Sequence, residues 1–168
     1  LLAPGDGNLM EALTTDARMA VADLNAEYAA CLDERRFDAW PDLFTEECVY
    51  KLQPRENHDR GLPLATMAFE SRRMLRDRVY AVTQTLFHIP YATRHVIGWP
   101  RVWISGEGIL AAEANYVVVR VRDNELPELF SAGRYLDRIV REDGRLRFSE
   151  RLCIFDSALI PNSIIYPI

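Results

Sequence analysis

The sequence is poor in the residues that form disulfides and hold metals. Its 168 residues include three cysteines and three histidines. Cys31, Cys48 and Cys153 are widely separated, and none belongs to a CxxC pair. An odd number of isolated cysteines with apolar neighbours is typical of buried free thiols in a cytoplasmic protein, and it argues against a disulfide framework or a zinc site.

Lysine, glycine and long apolar runs are also scarce. Of 20 basic residues only Lys51 is a lysine, and the net charge of −5 disfavours nucleic-acid binding. The arginine bias fits either a GC-rich genome or arginine–carboxylate pairs at buried contacts. The eight glycines are scattered, so no phosphate-binding loop is present, and G-x-S-x-G is absent. No basic stretch precedes an apolar run, so we expect neither a signal peptide nor a membrane span.

The last third of the chain has the clearest structural pattern. Residues 129–140 and 146–156 alternate apolar and polar side chains, and Asp143-Gly144 stands between them. An Asp-Gly pair between two alternating segments predicts a β-hairpin. The alternation predicts two core-facing rows, Phe130, Ala132, Leu136 and Val140 on the first strand and Leu146, Phe148, Leu152 and Ile154 on the second.

Helical patterns precede this hairpin. A long helix is predicted to begin at Thr15 or Asp16, and its apolar face comprises Ala17, Ala20, Val21, Leu24, Tyr28, Cys31 and Leu32. Next we expect a short helical turn at Trp40-Pro41, a strand over 48–52 and a loop over 53–61. A second long helix is expected from Pro63 to about Arg78, with Met67 and Leu75 among its apolar residues.

From Arg94 onwards the period changes to two, which predicts strands over 94–104 and 109–122. Helices followed by a run of strands, without β-α-β alternation, indicate an α+β fold. We divide the chain into an N-terminal arm, 1–13, and a single domain, 14–168. The apolar tail of that domain, 157–168, must be buried on the domain itself or on a partner.

The segment SAGRYLDRIVREDGRLRFSERLCIFDSALIPNS (131–163) resembles the C-terminal hairpin of the small (beta) subunits of aromatic-ring-hydroxylating oxygenases. The resemblance extends through FDAWPDLFTEECVY (37–50), NHDRGLPLATMAFESRRMLRDR (57–78) and YATRHVIGWPRV (91–102). It implies a cystatin-like or NTF2-like cone, in which the N-terminal helices pack on a curved, mainly antiparallel sheet.

The resemblance also implies a non-catalytic subunit that supports assembly of an iron-bearing large (alpha) subunit. That large subunit would hold a Rieske [2Fe-2S] cluster and a mononuclear Fe(II), with electrons supplied by NADH through a reductase. The implied assembly is a cytoplasmic α3β3 hexamer in which the small subunits self-associate as a trimer. HDRGLPLATM is most similar to the aromatic-acid type (salicylate, anthranilate or terephthalate), and we expect a salicylate-like substrate.

Neither iron centre has its ligands on this chain. In this family a Rieske cluster needs C-x-H and C-x-x-H, and no histidine follows a cysteine at either spacing. A mononuclear iron needs two histidines and a carboxylate on one side of the metal. Because Pro90 separates His88 from His95, a shared helix face is not expected. We therefore predict no catalytic, cofactor-binding or metal-binding residue here.

The cone fold leaves an enzymatic alternative open, because NTF2-like folds also host isomerases and dehydratases with an Asp or His base in an apolar cavity. Such a base would be Asp33, His58, Asp59, His88 or His95, with Tyr28, Tyr50 or Tyr116 as proton donor. The hypotheses differ in a simple way. A subunit is inert alone and binds an iron-bearing protein, an isomerase acts alone, and an adaptor binds a partner without iron.

The two tryptophans of the first long strand suggest a contact surface. Trp99 and Trp103 are four residues apart and share a face, either as core, the preferred interpretation, or as interface anchors. The candidate subunit-interface residues are Arg94, His95, Trp99, Trp103, Ile160, Ile164, Ile165 and Tyr166.

Overall fold

The structure, a computed structural model, describes residues 15–106, 108–157 and 164–168. Its helices are α1 Thr15–Asp33, α2 Arg55–Asp59 and α3 Arg72–Tyr80, with a 3₁₀ helix at Phe37–Leu43 and a π-helical turn at Ala81–Thr85. Its strands are β1 Phe44–Pro54, β2 Met67–Phe69, β3 Ala92–Ile97, β4 Arg101–Ile104, β5 Leu110–Val121, β6 Glu128–Glu142 and β7 Arg145–Phe155. None of the helices in these ranges has the length and apolar character needed to cross a membrane.

All of these strands form one sheet, in the order β2-β1-β7-β6-β5-β3, with β4 also paired to β5. The β1–β7 pair is parallel, and the other pairs are antiparallel. Register shifts between β5 and β6 and between β6 and β7 mark bulges, which bend a sheet locally. The predicted α+β class, with N-terminal helices on a curved, mainly antiparallel sheet, is confirmed.

The helix α1 covers the inner face of the sheet. Its apolar residues recur every three or four positions, so one stripe faces the strands and the polar residues face outward. The buried residues of this stripe are Val21, Leu24, Asn25, Tyr28, Cys31 and Leu32. The predicted helix is confirmed, and so is the prediction that Cys31, Cys48 and Cys153 are buried free thiols.

The predicted hairpin is the longest strand pair of the sheet. β6 and β7 are joined at Asp143-Gly144, where both residues have positive φ, 51° and 77°. Two central residues with positive φ define a type I′ turn, whose twist matches that of the flanking strands. Glycine adopts this backbone conformation without strain, and aspartate tolerates it.

The predicted core-facing rows of the hairpin are wrong at several positions. On β6, Tyr135, Asp137 and Ile139 are buried, whereas Leu136 and Val140 are only half-buried. On β7, Phe148, Arg151, Cys153 and Phe155 are buried, as is Ile154, whereas Leu146 and Leu152 are half-buried. The register shift passes over Ser149, so the residues that face the core change from even to odd numbers there. A one-residue shift moves every following side chain to the other face.

Three other predicted boundaries also differ from the structure. The expected loop over 53–61 contains the short helix α2. The helix expected from Pro63 begins instead at Arg72, because the hydroxyl of Ser71 accepts a hydrogen bond from the Met74 N–H and so caps it. The strand expected over 94–104 is divided into β3 and β4 at Gly98–Pro100, since proline cannot donate a ladder hydrogen bond.

Gly133 offers a test of the β6–β7 packing. A Cβ at this position would lie 1.9 Å from the Ile154 carbonyl oxygen, which belongs to the main chain and cannot rotate away. We expect Gly133→Ala to lower the free energy of unfolding by about 3 kcal/mol, the upper range for overpacking. Urea unfolding followed by circular dichroism measures this change. At the control position Gly98 the nearest contact would be an ordinary 3.5 Å, so equal losses for the two variants would contradict the argument.

Candidate functional site

A buried ion pair occupies the centre of the cone. Arg151 on β7 and Asp137 on β6 are opposite each other in the ladder, and both side chains are fully buried. The Nε and Nη2 atoms of Arg151 each donate to a different carboxylate oxygen of Asp137, both over 2.8 Å. Nη2 also donates to Oδ1 of Asn25 on α1. The pair therefore joins both strands of the hairpin to the helix above them.

Aromatic rings enclose the guanidinium group of Arg151. Its central carbon lies 3.9 Å from the ring centroid of Phe148, 4.1 Å from that of Tyr28 and 4.2 Å from that of Tyr135. A cation over a ring face is attracted by the negative face of the π-system, more so away from water. These rings replace part of the hydration that the guanidinium loses on burial.

The electrostatics of the pair favour packing over catalysis. Burial raises the pKa of Asp137, and the neighbouring guanidinium opposes this rise. Burial by itself lowers the pKa of Arg151, but the Asp137 carboxylate outweighs that effect and the pKa is raised. Because a guanidinium does not release its proton in proteins, the two groups remain an ion pair. Asp137 is thus committed to Arg151 and is not placed to act as a base.

Tyr28, whose ring packs on Arg151, also reaches Ile168, and three side chains donate to the main-chain oxygen of that residue. The hydroxyls of Tyr28 and Tyr50 donate over 2.6 Å and 3.1 Å, and the thiol of Cys153 donates over 3.2 Å. The N–H of Ile168 donates to the Tyr50 hydroxyl over 2.9 Å. Burial raises the pKa of both tyrosines well above the ordinary value and that of Cys153 to about 12, so all three groups keep their protons.

Tyr166 packs on the same domain, in a cluster of rings near the start of β3. Its ring centroid lies 4.4 Å from that of Tyr91 and 5.0 Å from that of Phe37, and its hydroxyl lies 2.9 Å from Nε2 of His88. The described part of the tail, residues 164–168, is thus buried on its own domain, which was one of the two predicted possibilities. Residue 160 lies outside the described residues.

A second acid, the half-buried Asp33, is paired with a histidine. Asp33 at the end of α1 accepts hydrogen bonds from Nδ1 and the main-chain N–H of His95 on β3, over 2.6 Å and 2.9 Å, and from the Thr93 hydroxyl over 3.0 Å. Since Asp33 accepts from Nδ1, that nitrogen carries a proton. His95 and Asn25 line a cavity of about 350 Å³ between α1 and the β3–β4 connection, together with Trp99 and small residues of α1.

The other candidate bases and donors do not converge on this cavity. His58 and Asp59 neighbour each other on α2, and His88 lies in the loop before β3, next to Tyr166. The predicted proton donors are engaged elsewhere, Tyr28 and Tyr50 with Ile168 and Tyr116 with Ser131. Of the candidate bases, Asp33 and His95 meet beside this cavity. The ring of Tyr28 packs edge-on against that of His95, with centroids 6.5 Å apart, but the Tyr28 hydroxyl donates to Ile168.

The residues present do not fit an iron centre. Across the described ranges, no group of three or more His, Cys, Asp or Glu side chains is arranged to hold a metal ion. The histidines lie on α2, on β3 and in the loop that precedes β3. A Rieske cluster takes two cysteines and two histidines, and a mononuclear iron takes two histidines and a carboxylate. Neither donor set can be drawn from these positions.

The candidate interface residues fall into two groups. Trp99 is 67% exposed and Trp103 is 37% exposed, so the preferred assignment of both to the core is wrong. Arg94 is exposed on the outer face of β3. By contrast, His95 and Tyr166 are covered by their own chain. Ile164 and Ile165 are half-buried against the core.

Four residues that organise the interior were not predicted from the sequence: Arg151, Asp137, Asn25 and Ile168. Opposite charges on the two strands of a predicted hairpin are a usable signal for the ion pair. However, counting back from the turn without a bulge places Asp137 opposite Glu150, a like charge. For Asn25 and Ile168 the sequence carries no comparable signal.

Comparison with known proteins identifies the class first. The profile of the SnoaL-like domain family matches residues 14–152, which span α1 to most of β7. A solved structure from Novosphingobium aromaticivorans, assigned as the beta subunit of an aromatic-ring-hydroxylating dioxygenase, superposes with a TM-score of 0.82 at 37% identity. The superposition covers 91% of this chain and 97% of that one. This chain therefore contains a SnoaL-like domain, and the cone described above is its fold.

Two curated relatives narrow the assignment. The small subunit of anthranilate 1,2-dioxygenase from Burkholderia cepacia is 34% identical over 161 residues, 95% of this chain and 100% of that subunit. The beta 2 subunit of the terminal oxygenase component of terephthalate 1,2-dioxygenase from Comamonas sp. is 30% identical over 88% of this chain and 96% of that subunit. The chain belongs to the small subunits of aromatic-ring-hydroxylating dioxygenases, and the resemblance inferred from its sequence is confirmed.

The burial of the Arg151–Asp137 ion pair predicts how its removal changes the stability of the fold. Replacing Arg151 by methionine leaves the Asp137 carboxylate buried without a partner, so we expect Arg151→Met to lower the free energy of unfolding by about 3–5 kcal/mol. The double variant Asp137→Asn/Arg151→Met is expected to lose less, because no buried charge remains. Urea unfolding measures both, with exposed Arg138→Met on the same hairpin as the control. A loss no larger than that of the control would contradict the prediction.

The hydrogen bonds of Asp33 predict how the stability of the fold depends on pH. Burial raises the pKa of Asp33, but hydrogen bonds from His95 and Thr93 outweigh it, so the pKa lies below the ordinary value. An acid with a lowered folded-state pKa stabilises the fold above its unfolded pKa, about 3.9, and this contribution disappears as the pH falls through the folded-state value. The stability difference between wild type and Asp33→Asn should therefore be present at about pH 5 and shrink as the pH falls further.

Urea unfolding at a series of pH values tests this expectation. Asp23→Asn, at an exposed position of the same helix, is the control. A difference between wild type and Asp33→Asn that does not change with acidification would show that the lowered pKa is not what stabilises the α1–β3 contact.

Proposed function

We propose that this chain is the non-catalytic small subunit of a multicomponent aromatic-ring-hydroxylating oxygenase, in which it supports assembly of a large subunit. The large subunit holds the Rieske [2Fe-2S] cluster and the mononuclear Fe(II), and NADH supplies electrons through a reductase. The complex is a cytoplasmic α3β3 hexamer built on a trimer of small subunits. Its substrate is an aromatic acid, with salicylate as the first choice.

The observation that carries this proposal is the full-length match to a subunit. The similarity to the anthranilate dioxygenase small subunit covers 95% of this chain and 100% of the relative, so the whole of that subunit is matched. The interior agrees with a supporting role, since the buried polar side chains of Arg151, Asp137 and Asn25 bind one another. The relatives' names support a subunit role and an aromatic acid as the substrate, whereas the stoichiometry and the electron donors of the proposal come from the family resemblance.

The exposed end of β3 and β4 is the proposed contact surface. The exposed side chains there are Arg94 and Val96 on β3, Trp99 in the connection between the strands and Trp103 on β4, and Val96 is 62% exposed. Monomeric proteins rarely expose contiguous apolar patches, and tryptophan and arginine are enriched at the energetic centres of interfaces. A cyclic trimer uses two different complementary patches per subunit, so this surface is one side of such a contact or meets the large subunit.

Co-purification tests the proposal. We expect the tagged chain, expressed in its native cells, to recover a larger protein that contains iron and shows Rieske absorption, whereas the chain alone is colourless and inert. The recovered complex, supplied with its reductase and NADH, should hydroxylate an aromatic acid, and salicylate, anthranilate and terephthalate are compared as substrates. Isomerase activity of the chain alone, or a partner without iron, would contradict the assignment.

A variant pair locates the contact within the same experiment. Trp99→Ser should reduce the recovery of the large protein or dissociate the trimer, because the central apolar contact is lost. Leu126→Ser is the matched control, since Leu126 is 88% exposed on the connection between β5 and β6, away from this surface. Equal recovery for Trp99→Ser and the control would place the interface elsewhere.

A further inference from the structure

Residues 164–168, here called the plug, are attached to the domain in an unusual way. Within the described ranges, no main-chain group of the plug hydrogen-bonds to another main-chain group. Side chains hold it instead. Arg78 donates to the carbonyl oxygens of Ile164 and Ile165 over 3.1 Å and 2.6 Å, and the Tyr91 hydroxyl accepts from the Tyr166 N–H over 3.4 Å.

Because the plug is not part of the sheet ladder, it can detach without breaking a strand pair. Local openings of this kind involve segments with few main-chain hydrogen bonds to the rest of the fold. The strands beneath the plug keep their pairing, since β7 is paired on both sides, with β1 and with β6. The free energy of opening then equals the free energy lost when the side-chain contacts of the plug are broken.

The site beneath the plug is built to bind an oxygen atom. Tyr28, Tyr50 and Cys153 come from α1, β1 and β7, and all three donate to the main-chain oxygen of Ile168. Three buried donors directed at one point, far from water, are costly to leave without an acceptor. Raised pKa values keep these groups protonated, so the site favours an acceptor such as a carbonyl oxygen.

The walls of the site are apolar and aromatic. Trp40 packs edge-on against Tyr50, with ring centroids 5.3 Å apart, and Phe37 and Tyr91 surround the ring of Tyr166. A pocket that combines apolar walls with a few fixed polar groups is the usual form of a small-molecule site. Ile168 and Tyr166 fill this space in the closed state, at 1% and 5% exposure.

We propose that the plug is a displaceable internal ligand that covers a binding site for a small apolar molecule carrying a carbonyl oxygen. With the plug seated, the three donors are satisfied and the cone is closed. With the plug detached, the same three groups donate hydrogen bonds to the carbonyl oxygen of the ligand, and the aromatic walls contact its apolar part. The inference is independent of the assembly proposed above, because it concerns the interior of one chain.

Thiol labelling of Cys153 tests both parts of the proposal. The full-length variant Tyr166→Ala removes the ring that anchors the plug, and Tyr80→Ala, at an exposed tyrosine, is the matched control. N-ethylmaleimide labelling with mass spectrometry reports each cysteine separately. We expect Tyr166→Ala to label Cys153 at least tenfold faster, while Cys31, Cys48 and the control variant keep wild-type rates.

Ligand protection then tests the binding site. Acetophenone, an apolar aromatic ketone, should slow Cys153 labelling in Tyr166→Ala severalfold, whereas ethylbenzene, which has the same carbon skeleton without the oxygen, should protect far less. Arg78→Met, which removes the hydrogen bonds to Ile164 and Ile165, is the second opening variant and should behave in the same way.

Three results would overturn the proposal. If Cys153 labelling stays at the wild-type rate in both opening variants, the plug does not control access to the site. If all three cysteines label faster together in both, the plug is an inseparable part of the global fold. If Cys153 alone labels faster but acetophenone protects it no better than ethylbenzene, the space beneath the plug does not bind a carbonyl oxygen.

Discussion

The guanidinium group of Arg151 is the interaction on which the interior of this protein depends. One side chain connects β7, where it originates, to β6 through Asp137 and to α1 through Asn25. The rings of Tyr28, Tyr135 and Phe148 close around it, and Tyr28 in turn reaches Ile168. An unpaired charge at this depth would be far more costly than an apolar residue, so all of these partners must be in place together. The ion pair thus couples the position of the helix, the register of the hairpin and the seating of residues 164–168.

Several parts of the fold could be predicted from the sequence because their signals are local. The apolar spacing of α1 and the Asp143-Gly144 turn each depend on fewer than about 20 consecutive residues, the scale on which periodicity and turn chemistry act. The register of the hairpin could not be predicted in the same way, because the bulge at Ser149 depends on the partner strand. The start of α3 could not be predicted for a different reason. Pro63 and Ser71 are both residues that favour the beginning of a helix, and only tertiary packing decides between them.

The candidate site was harder to predict than the fold. Arg151 is one of nineteen arginines, and nothing in its immediate neighbours marks it as buried. The donors to Ile168 lie up to 140 positions away from it along the chain, a separation that no short motif spans. The family resemblance, carried by ordered segments along most of the chain, predicted the cone, but a resemblance of that kind does not specify which side chains meet inside. Trp99 shows the same limit, because spacing places it on a face without revealing whether anything covers that face.

The parallel pairing of β1 with β7 has a consequence for how the protein is made. β1 ends at Pro54, whereas its partner begins at Arg145, so about ninety residues of chain must emerge before the two strands can meet. Until then β1 has only the short strand β2 beside it, and its other edge is open to strands of neighbouring chains. Formation of this seam therefore comes late in synthesis. During that interval the open edge of β1 is protected only by chaperones or by rapid pairing with β7. The yield of correctly folded protein therefore depends on the rate of this pairing as well as on the stability of the folded domain.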